Sequence, residues 1–379
     1  MEKAVIERAI SKQLERRLSD NKALVIMGPR QVGKTTALRA LIKGRDDVLW
    51  LNGDEPDIRM LFEQATSTSL RALIGKAAVM VIDEAQRIID IGVKLKLITD
   101  NITEVKLLAT GSSSFELANK INESLAGRKW EYMLYPLSFA ELVNHHGMLE
   151  ERRLLPHRLV YGSYPEVVTS PGDEQELLRE LSGSILYKDI LTHEGIKNPE
   201  KLERLLQALA YQVGGLVSYS ELGQTSGLSN KTVERYIDIL EKAYIIFRLG
   251  SYSKNLRNEL KKSRKIYFVD NGIRNALIAD YRALEIRSDI GALWENYLMT
   301  ERRKLCAYNA VQTISRFWRT AQKQEIDLIE VQSGQVNAFE FKWNPKAKVT
   351  GIKTFKTSYP ESTFNVINRE NYEDFLFSL

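Results

Sequence analysis

Short apolar runs alternate with helical stretches between residues 23 and 135 of the chain. Four runs carry the pattern, at Ala23–Met27, Val48–Leu51, Ala78–Ile82 and Val105–Ala109. Each run is apolar almost throughout, rather than at every second position, which is typical of parallel strands that are buried on both faces. The pattern therefore predicts an α/β domain over residues 1–136, a parallel sheet with helices on both faces. An amphipathic helix from Glu2 to Leu18 is expected to lead into this domain and to pack against it.

The pattern changes beyond the predicted sheet. Residues 137–205 have helical character interrupted by the turn-rich Gly162–Pro165, which predicts a helical connector or lid. Between residues 206 and 263, a helix, a turn at Gly227–Ser229 and an amphipathic helix at Asn230–Glu241 follow in order. A glycine-containing turn between two such helices predicts a winged helix-turn-helix.

Length and composition narrow the class of protein. The 379 residues predict two or three domains, and the 44% hydrophobic and 27% charged residues are close to globular averages. A single cysteine, Cys306, excludes an internal disulfide or a cysteine zinc cage. No apolar run reaches the roughly 18–20 residues of a membrane helix, and the start of the chain is charged rather than signal-like. We therefore expect a cytoplasmic protein without a membrane partner.

The strongest motif follows the first apolar run. Residues 28–35 satisfy the pattern G-x-x-x-x-G-K-[ST] between a predicted strand and a predicted helix at Thr36–Lys43. Such a loop wraps a triphosphate with its backbone N–H groups, while Lys34 reaches the terminal phosphates and Thr35 holds Mg²⁺. The motif thus predicts ATP and Mg²⁺ as bound cofactors. The predicted nucleotide-binding residues are Gly28, Pro29, Arg30, Gln31, Val32, Gly33, Lys34, Thr35 and Thr36.

Two carboxylates and two hydroxyls complete a predicted hydrolytic site. Asp83, at the end of an apolar run, is expected to join Thr35 in the metal shell, and Glu84 to act on the attacking water. If the run Val105–Ala109 lies between the other two strands, Thr110 or Ser112 senses the γ-phosphate. A hydroxyl-capped turn at that point is the alternative.

An arginine is the last candidate for this site. Arg128 is interpreted as neutralising developing charge in its own chain or in a neighbouring subunit, or else as a solvated surface arginine. The predicted enzyme is an ATPase. Its predicted catalytic residues are Lys34, Asp83, Glu84 and Arg128.

Acidic residues near the end of the chain form a further candidate site. A predicted turn at Ser333–Gly334 separates Asp327 from Glu340 and Lys342, which share one face of a predicted strand and meet Asp327 across the ladder. Asp327 and Glu340 are the predicted metal ligands, and Glu295 on a predicted helix is a further member. Two carboxylates and a lysine suit metal-dependent hydrolysis of a phosphodiester. A solvated strand face is the alternative.

The chain resembles the AAA+-like P-loop ATPases of bacteria and archaea that carry an uncharacterised C-terminal region. The resemblance spans nearly the whole chain and rests on Gly28–Thr36, Ile82–Gln86, Thr110–Ser112, Tyr135–Glu141, Gly162–Pro165, Lys265–Gly272, Trp294–Asn296 and Glu340–Lys342. Ser163 stands where the family more often has a second glycine. The resemblance implies ATP binding, a winged helix after the ATPase domain, and a restriction-endonuclease-like PD-(D/E)xK domain over residues 264–379.

Positive charge is concentrated in one stretch. From Arg248 to Arg274, eight lysines and arginines stand against two acidic residues, an excess of six where the whole chain has +5. The wing of a winged helix would lie against a phosphate backbone here, so we expect contact with DNA; a winged helix used only for domain packing is the alternative. The candidate DNA-binding residues are Lys231, Arg235, Lys254, Arg257, Lys261 and Lys262.

Two functions are compatible with these features. The first is an ATP-dependent switch or motor acting on or near DNA, with a metal-dependent, nuclease-like C-terminal domain. The second is a nucleotide-regulated interaction protein whose C-terminal fold is a catalytically silent docking surface. Either function leaves room for a homo-oligomer or a partner protein.

Overall fold

The computed structural model describes residues 5–112, 125–185, 190, 196, 198–253 and 264–379. Within this part of the chain there are two compact units. The N-terminal unit holds Val5–Pro136 together with Lys242–Tyr244, and the C-terminal unit holds Leu137–Glu241 and Ile245–Leu379.

A five-stranded parallel sheet forms the centre of the N-terminal unit. Its strands are β1 (Ala23–Met27), β2 (Val48–Asn52), β3 (Val79–Asp83), β4 (Lys106–Gly111) and β5 (Lys129–Met133). They lie in the order β2-β3-β4-β1-β5, so β4 lies between β1 and β3. The four apolar runs are confirmed as strands. The pattern missed β5 because Lys129–Met133 is an edge strand that is only partly buried and carries charged side chains.

Helices cover this sheet. The helices are Ser11–Arg16, Lys34–Leu41, Pro56–Glu63, Ser67–Ile74 and Ile91–Asn101, with a 3₁₀ turn at Ala85–Arg87. Every residue of β1, β3 and β4 is buried, as the prediction of a sheet covered on both faces requires. The helix expected from Glu2 to Leu18 is wrong in its length, because the described part is helical only over Ser11–Arg16.

The first half of the C-terminal unit is mostly helical. Its helices are Phe139–His146, Met148–Tyr161, Pro165–Val168, Glu174–Ser184, Pro199–Tyr211, Tyr219–Ser226 and Asn230–Lys242. The last two helices are joined at Gly227, which has a left-handed φ of 70° as a tight turn between helices requires. A small antiparallel sheet follows, in which β6 (Leu216–Val217), β7 (Ile246–Gly250) and β8 (Arg264–Phe268) lie in the order β6-β8-β7.

The second half of the C-terminal unit contains a mixed four-stranded sheet. Its strands β9 (Ile314–Arg319), β10 (Glu325–Gln332), β11 (Gln335–Phe341) and β12 (Thr363–Ile367) lie in the order β12-β11-β10-β9. The predicted hairpin is confirmed, since Gln332 pairs with Gln335 and the turn residues Ser333 and Gly334 have φ of 49° and 83°. The accompanying helices are Asn271–Leu277, Ile290–Tyr308, Ile352–Ser358 and Tyr372–Phe377, with a 3₁₀ turn at Leu284–Ile286.

Buried polar groups join the two halves of the C-terminal unit. The side chain of Lys304 is almost fully buried and donates to Leu137 O at 2.9 Å and to Glu301 Oε1 at 2.6 Å. Glu301 in turn accepts from the backbone N–H of Phe139 at 2.7 Å. Buried charges are stabilised only when they are paired in this way, so the start of the predicted connector is fixed to the helix Ile290–Tyr308.

None of the described helices combines the length and the apolar composition that crossing a lipid bilayer requires.

Candidate functional site

The loop after β1 has the backbone geometry of a phosphate-binding loop. Gly28 and Gly33 have φ of 152° and 91°. A Cβ atom on Gly28 would lie 2.1 Å from the carbonyl oxygen of Leu134, so only glycine fits there. The helix Lys34–Leu41 begins directly after Gly33 and therefore directs its N-terminal N–H groups and positive dipole end towards the loop.

Lys34 is held inside this loop. Its side chain is 5% exposed, and its ammonium donates to Gly28 O at 2.9 Å and to Pro29 O at 2.7 Å. Both bonds are to carbonyls of the loop itself. The ammonium is therefore positioned over the loop by the protein before any anion binds.

Arg8, which lies outside the motif, stabilises the loop by hydrogen bonds. Its guanidinium is buried and donates to Val32 O at 2.5 Å and to Tyr135 O at 2.6 Å. The arginine thus ties the phosphate loop to the backbone that follows β5. The sequence predicted only a packing role for the segment that contains Arg8. Val32 and Tyr135 are 24 and 127 positions away, and nothing in the local pattern connects Arg8 with them.

Two hydroxyls contact the carboxylate at the end of β3. Thr35 Oγ1 donates to Asp83 Oδ2 at 2.8 Å, and Thr110 Oγ1 donates to Asp83 Oδ1 at 2.5 Å. Because β4 lies between β1 and β3, it brings Thr110 to Asp83. Sensing of the γ-phosphate by Thr110 or Ser112 stays a prediction. The oxygen donors of Thr35 and Asp83 are the kind that Mg²⁺ prefers, so these residues fit that cation.

Glu84 lies beside them and is held by three neighbours. Its backbone N–H donates to Thr110 Oγ1 at 3.0 Å, and its φ of 48° is unusual for a residue other than glycine. Its Oε2 accepts from Gln86 Nε2 at 2.5 Å and from Ser112 Oγ at 3.2 Å. The structure therefore brings Asp83, Glu84, Thr110 and Ser112 together, and it adds Gln86, which the sequence prediction omitted.

The structure does not bring Arg128 to this site. Arg128 immediately precedes β5, and its carbonyl accepts from the N–H of Ala23 at the start of β1. The phosphate loop begins at the other end of β1, roughly 16 Å away at the rise of a strand. The Nε of Arg128 instead donates to Asp100 at 2.5 Å. A catalytic role in its own chain does not fit this position, and a role in a neighbouring subunit stays a prediction.

The predicted acidic residues of the C-terminal unit also lie together. The register that pairs Leu328 with Phe339 places Asp327 opposite Glu340, and Asp327 Oδ2 accepts from the N–H of Phe341 at 2.8 Å. Lys342 donates to Glu340 at 2.7 Å. One cluster thus contains the four predicted residues Glu295, Asp327, Glu340 and Lys342. Glu295 is joined to it through Lys265.

A lysine that the sequence prediction did not include lies inside this acidic cluster. Lys265 of β8 is 1% exposed, and its ammonium lies 2.8 Å from Glu295 Oε1, 2.6 Å from Glu325 Oε1 and 3.6 Å from Asp327 Oδ1. Burial opposes its charge, yet the carboxylates around it, Glu295 above all, hold the pKa of Lys265 well above its usual value. The cluster therefore already contains a buried cation.

The remaining carboxylates respond to burial. Desolvation and the neighbouring Asp327 carboxylate raise the pKa of Glu295 to about 7, and the same causes raise the pKa of Glu340 to about 7. Glu340 Oε2 has no hydrogen-bond partner among the described residues. In that part of the chain, no three His, Cys, Asp or Glu side chains are placed to hold a metal ion. With Lys265 among the carboxylates, the observed arrangement does not fit a divalent cation.

The basic stretch contains internal ion pairs. Arg248 pairs with Asp238 at 2.7 Å and also with Glu241, Lys265 lies in the acidic cluster, and Arg274 pairs with Asp289 at 2.6 Å. These cations are paired with carboxylates inside the protein. A count of charges along the chain does not detect such pairing. Four candidate DNA-binding residues, Lys254, Arg257, Lys261 and Lys262, lie outside the described residues. Lys231 and Arg235 are exposed on the helix Asn230–Lys242, and DNA binding through them stays a prediction.

Three family models match successive parts of the chain. Residues 20–143 match a family described as an AAA domain. Residues 152–289 and 290–375 match two domains of unknown function, DUF8612 and DUF4143. An uncharacterised protein of Mycobacterium tuberculosis is 29% identical over 334 residues, which cover 87% of this chain and 72% of that protein. An uncharacterised protein of Methanocaldococcus jannaschii is 23% identical over 95% of this chain and 84% of its own length.

A solved structure is similar in fold. The Walker-type ATPase of Pyrococcus abyssi superposes with a TM-score of 0.50 and 16% sequence identity, over 72% of this chain and 96% of that one. At this identity the likeness shows the fold alone. Together with the AAA-domain match, it shows that the N-terminal unit has the fold of an AAA+-like P-loop ATPase.

Proposed function

We propose that the protein binds ATP with Mg²⁺ and hydrolyses it. The observation that carries the proposal is the 2.8 Å contact between Thr35 Oγ1 and Asp83 Oδ2, at the foot of a loop that Gly28 and Gly33 shape for an anion. A phosphate loop, a metal-shell carboxylate and an adjacent second carboxylate are the three parts that hydrolysis of a nucleoside triphosphate requires. All three lie at the carboxyl ends of β1 and β3, two parallel strands that have β4 between them.

Each residue has one role in this proposal. The loop N–H groups and the ammonium of Lys34 bind the phosphates, and Thr35 with Asp83 holds the cation. When held by Thr35 and Asp83, Mg²⁺ would supply positive charge that offsets the negative charge of the phosphates. Thr110 keeps Asp83 in position through its 2.5 Å hydrogen bond, and Glu84 accepts a proton from the attacking water.

Binding and turnover test this proposal separately. Isothermal calorimetry with ATP and Mg²⁺ should give a saturable signal, and ATP with Mg²⁺ should raise the melting temperature of the protein. Release of inorganic phosphate over time measures turnover. If ATP gives neither heat nor a shift in melting temperature, the proposal is wrong at its first step.

A second proposal concerns the C-terminal unit. We infer that this unit is a docking surface without metal-dependent cleavage, regulated by the nucleotide state of the N-terminal unit. The position of Lys265 supports this, because its ammonium lies within 3.6 Å of Glu295, Glu325 and Asp327 and offsets their charge from within the cluster. A fold can keep its shape after its catalytic site is lost.

Plasmid nicking provides the test of this inference. Purified protein with supercoiled plasmid, ATP and either Mg²⁺ or Mn²⁺ is expected to leave the plasmid intact. Asp327→Ala and Lys342→Ala should give the same result as the native protein, and a known nuclease serves as the positive control. Nicking by the native protein that both substitutions abolish would instead establish a cleaving site at Asp327, Glu340 and Lys342.

A further inference from the structure

Gln86 forms a closed ring of hydrogen bonds with Glu84 and Ser112. Gln86 Nε2 donates to Glu84 Oε2 at 2.5 Å and to Ser112 Oγ at 2.8 Å, and Ser112 Oγ donates to Glu84 Oε2 at 3.2 Å. Gln86 and Ser112 are 6% and 1% exposed. Two buried donors therefore hold one oxygen of a carboxylate that lies next to the metal-shell residue Asp83.

The orientation of the Gln86 amide follows from these contacts. If the amide were turned over, its oxygen would lie 2.5 Å from Glu84 Oε2, and two oxygens without a shared proton repel each other. The N–H₂ group must therefore face the carboxylate. This leaves Gln86 Oε1 directed elsewhere, and that buried oxygen has no hydrogen-bond partner among the described residues.

We propose that Gln86 is a positioning residue for ATP hydrolysis, which orients the carboxylate of Glu84 through its N–H₂ group. This inference rests on the proposed ATPase function. The two hydrogen bonds that the amide donates, one of them to a charged carboxylate, offset the cost of leaving its buried carbonyl oxygen without a partner.

The chemical step balances with Glu84 as the proton acceptor. The water oxygen forms a bond to the γ-phosphorus, and the bond from the γ-phosphorus to the bridging oxygen breaks with its electron pair remaining on ADP. One proton of the water passes to Glu84, and the other stays on the phosphate product. Both hydrogen bonds from Gln86 and Ser112 reach Oε2 of Glu84, which leaves Oε1 of that carboxylate to accept the proton.

The alternative is that Gln86 only stabilises the 3₁₀ turn Ala85–Arg87. A structural role predicts a lower melting temperature and weaker ATP binding together with lower activity. A positioning role predicts a loss confined to kcat, because the phosphates are bound by the separate loop at residues 28–35. The two roles are therefore distinguished by comparing kcat with the dissociation constant for ATP.

The test uses the full chain and the substitution Gln86→Glu. This change keeps the shape of the side chain but replaces the donor that faces Glu84 with an oxygen. We expect kcat to fall roughly 10²-fold, which is the cost of misplacing a catalytic group, while the dissociation constant for ATP stays within about twofold. Gln86→Leu should give the same result. Because leucine adds no charge, this variant separates the loss of the donor from any unfolding of the site that the charge of Gln86→Glu causes. The matched control is Arg87→Ala, an exposed neighbour in the same turn, for which we expect native turnover.

A double-mutant cycle identifies the path of the effect. Glu84→Gln combined with Gln86→Glu should be no slower than Glu84→Gln alone, because Gln86 acts on the step that Glu84 catalyses. If the two substitutions reduce kcat by factors that multiply in the double variant, Gln86 acts outside that step. This result would overturn the inference. Native kcat in both Gln86 variants would overturn it while leaving the proposed ATPase intact. A native protein that binds no ATP would contradict the proposed function and the inference together.

Discussion

Lys34→Ala is expected to weaken ATP binding roughly 10- to 100-fold and to remove measurable turnover. Hydrogen bonds to charged groups contribute about 1.5–3 kcal/mol, and each 1.4 kcal/mol is about tenfold in affinity. The ammonium of Lys34 is already placed in the loop by the carbonyls of Gly28 and Pro29, so little reorganisation offsets its bonds to phosphate. Alanine has no group that replaces them. Calorimetric titration with ATP and Mg²⁺ measures the loss.

The control for this substitution is another lysine near the same helix. Lys43 follows the helix Lys34–Leu41 and is exposed, so Lys43→Ala should keep native affinity. The melting temperature without nucleotide should also be recorded, because Lys34→Ala leaves two loop carbonyls without their donor. Native affinity in Lys34→Ala would contradict the assignment of this loop to the phosphates.

Glu84→Gln is expected to keep ATP binding and to slow turnover by roughly 10²- to 10⁴-fold, the usual contribution of a general base. Glutamine has the shape of glutamate, and its amide oxygen still accepts the hydrogen bonds of Gln86 and Ser112. It does not accept a proton from water at neutral pH. The substitution therefore removes the proton acceptor and leaves its surroundings in place.

Single-turnover phosphate release, with ATP binding measured on the same preparation, is the appropriate assay. Glu63→Gln is the matched control, since Glu63 is an exposed glutamate at the end of the helix Pro56–Glu63. Turnover at the native rate in Glu84→Gln would exclude Glu84 as the base. Loss of ATP binding in that variant would assign it to nucleotide binding instead.

The phosphate site was predictable because its signals are local. Gly28, Gly33 and Lys34 lie within seven consecutive residues, and the φ values that the loop needs are properties of single residues. The strands β1 to β4 were predictable for the same reason, since each contains an apolar run. The hairpin at Ser333–Gly334 also depends on two adjacent residues with positive φ.

The other parts of both sites depend on residues far apart in sequence. Gln86 meets Ser112 only because β3 and β4 are neighbours, and the motif contains no signal for that contact. Lys265 meets Glu295 and Asp327 from 30 and 62 positions away in the chain. The three interpretations of Arg128 stayed open in the sequence for a related reason, because its distance from Lys34 depends on the direction of β5 relative to β1.

By itself, the sequence determined where a phosphate-binding loop forms, where the four apolar strands of the first sheet lie, and which carboxylates lie at the end of the strand Val79–Asp83. Only the tertiary structure decided which charged groups are paired inside the protein, as with Arg248, Lys265 and Arg274. The physical reason is the separation along the chain of the residues on which each property depends. Backbone angles and strand burial depend on a few neighbouring residues, whereas the strength of an ion pair or hydrogen bond depends on distances in space that chain order does not contain.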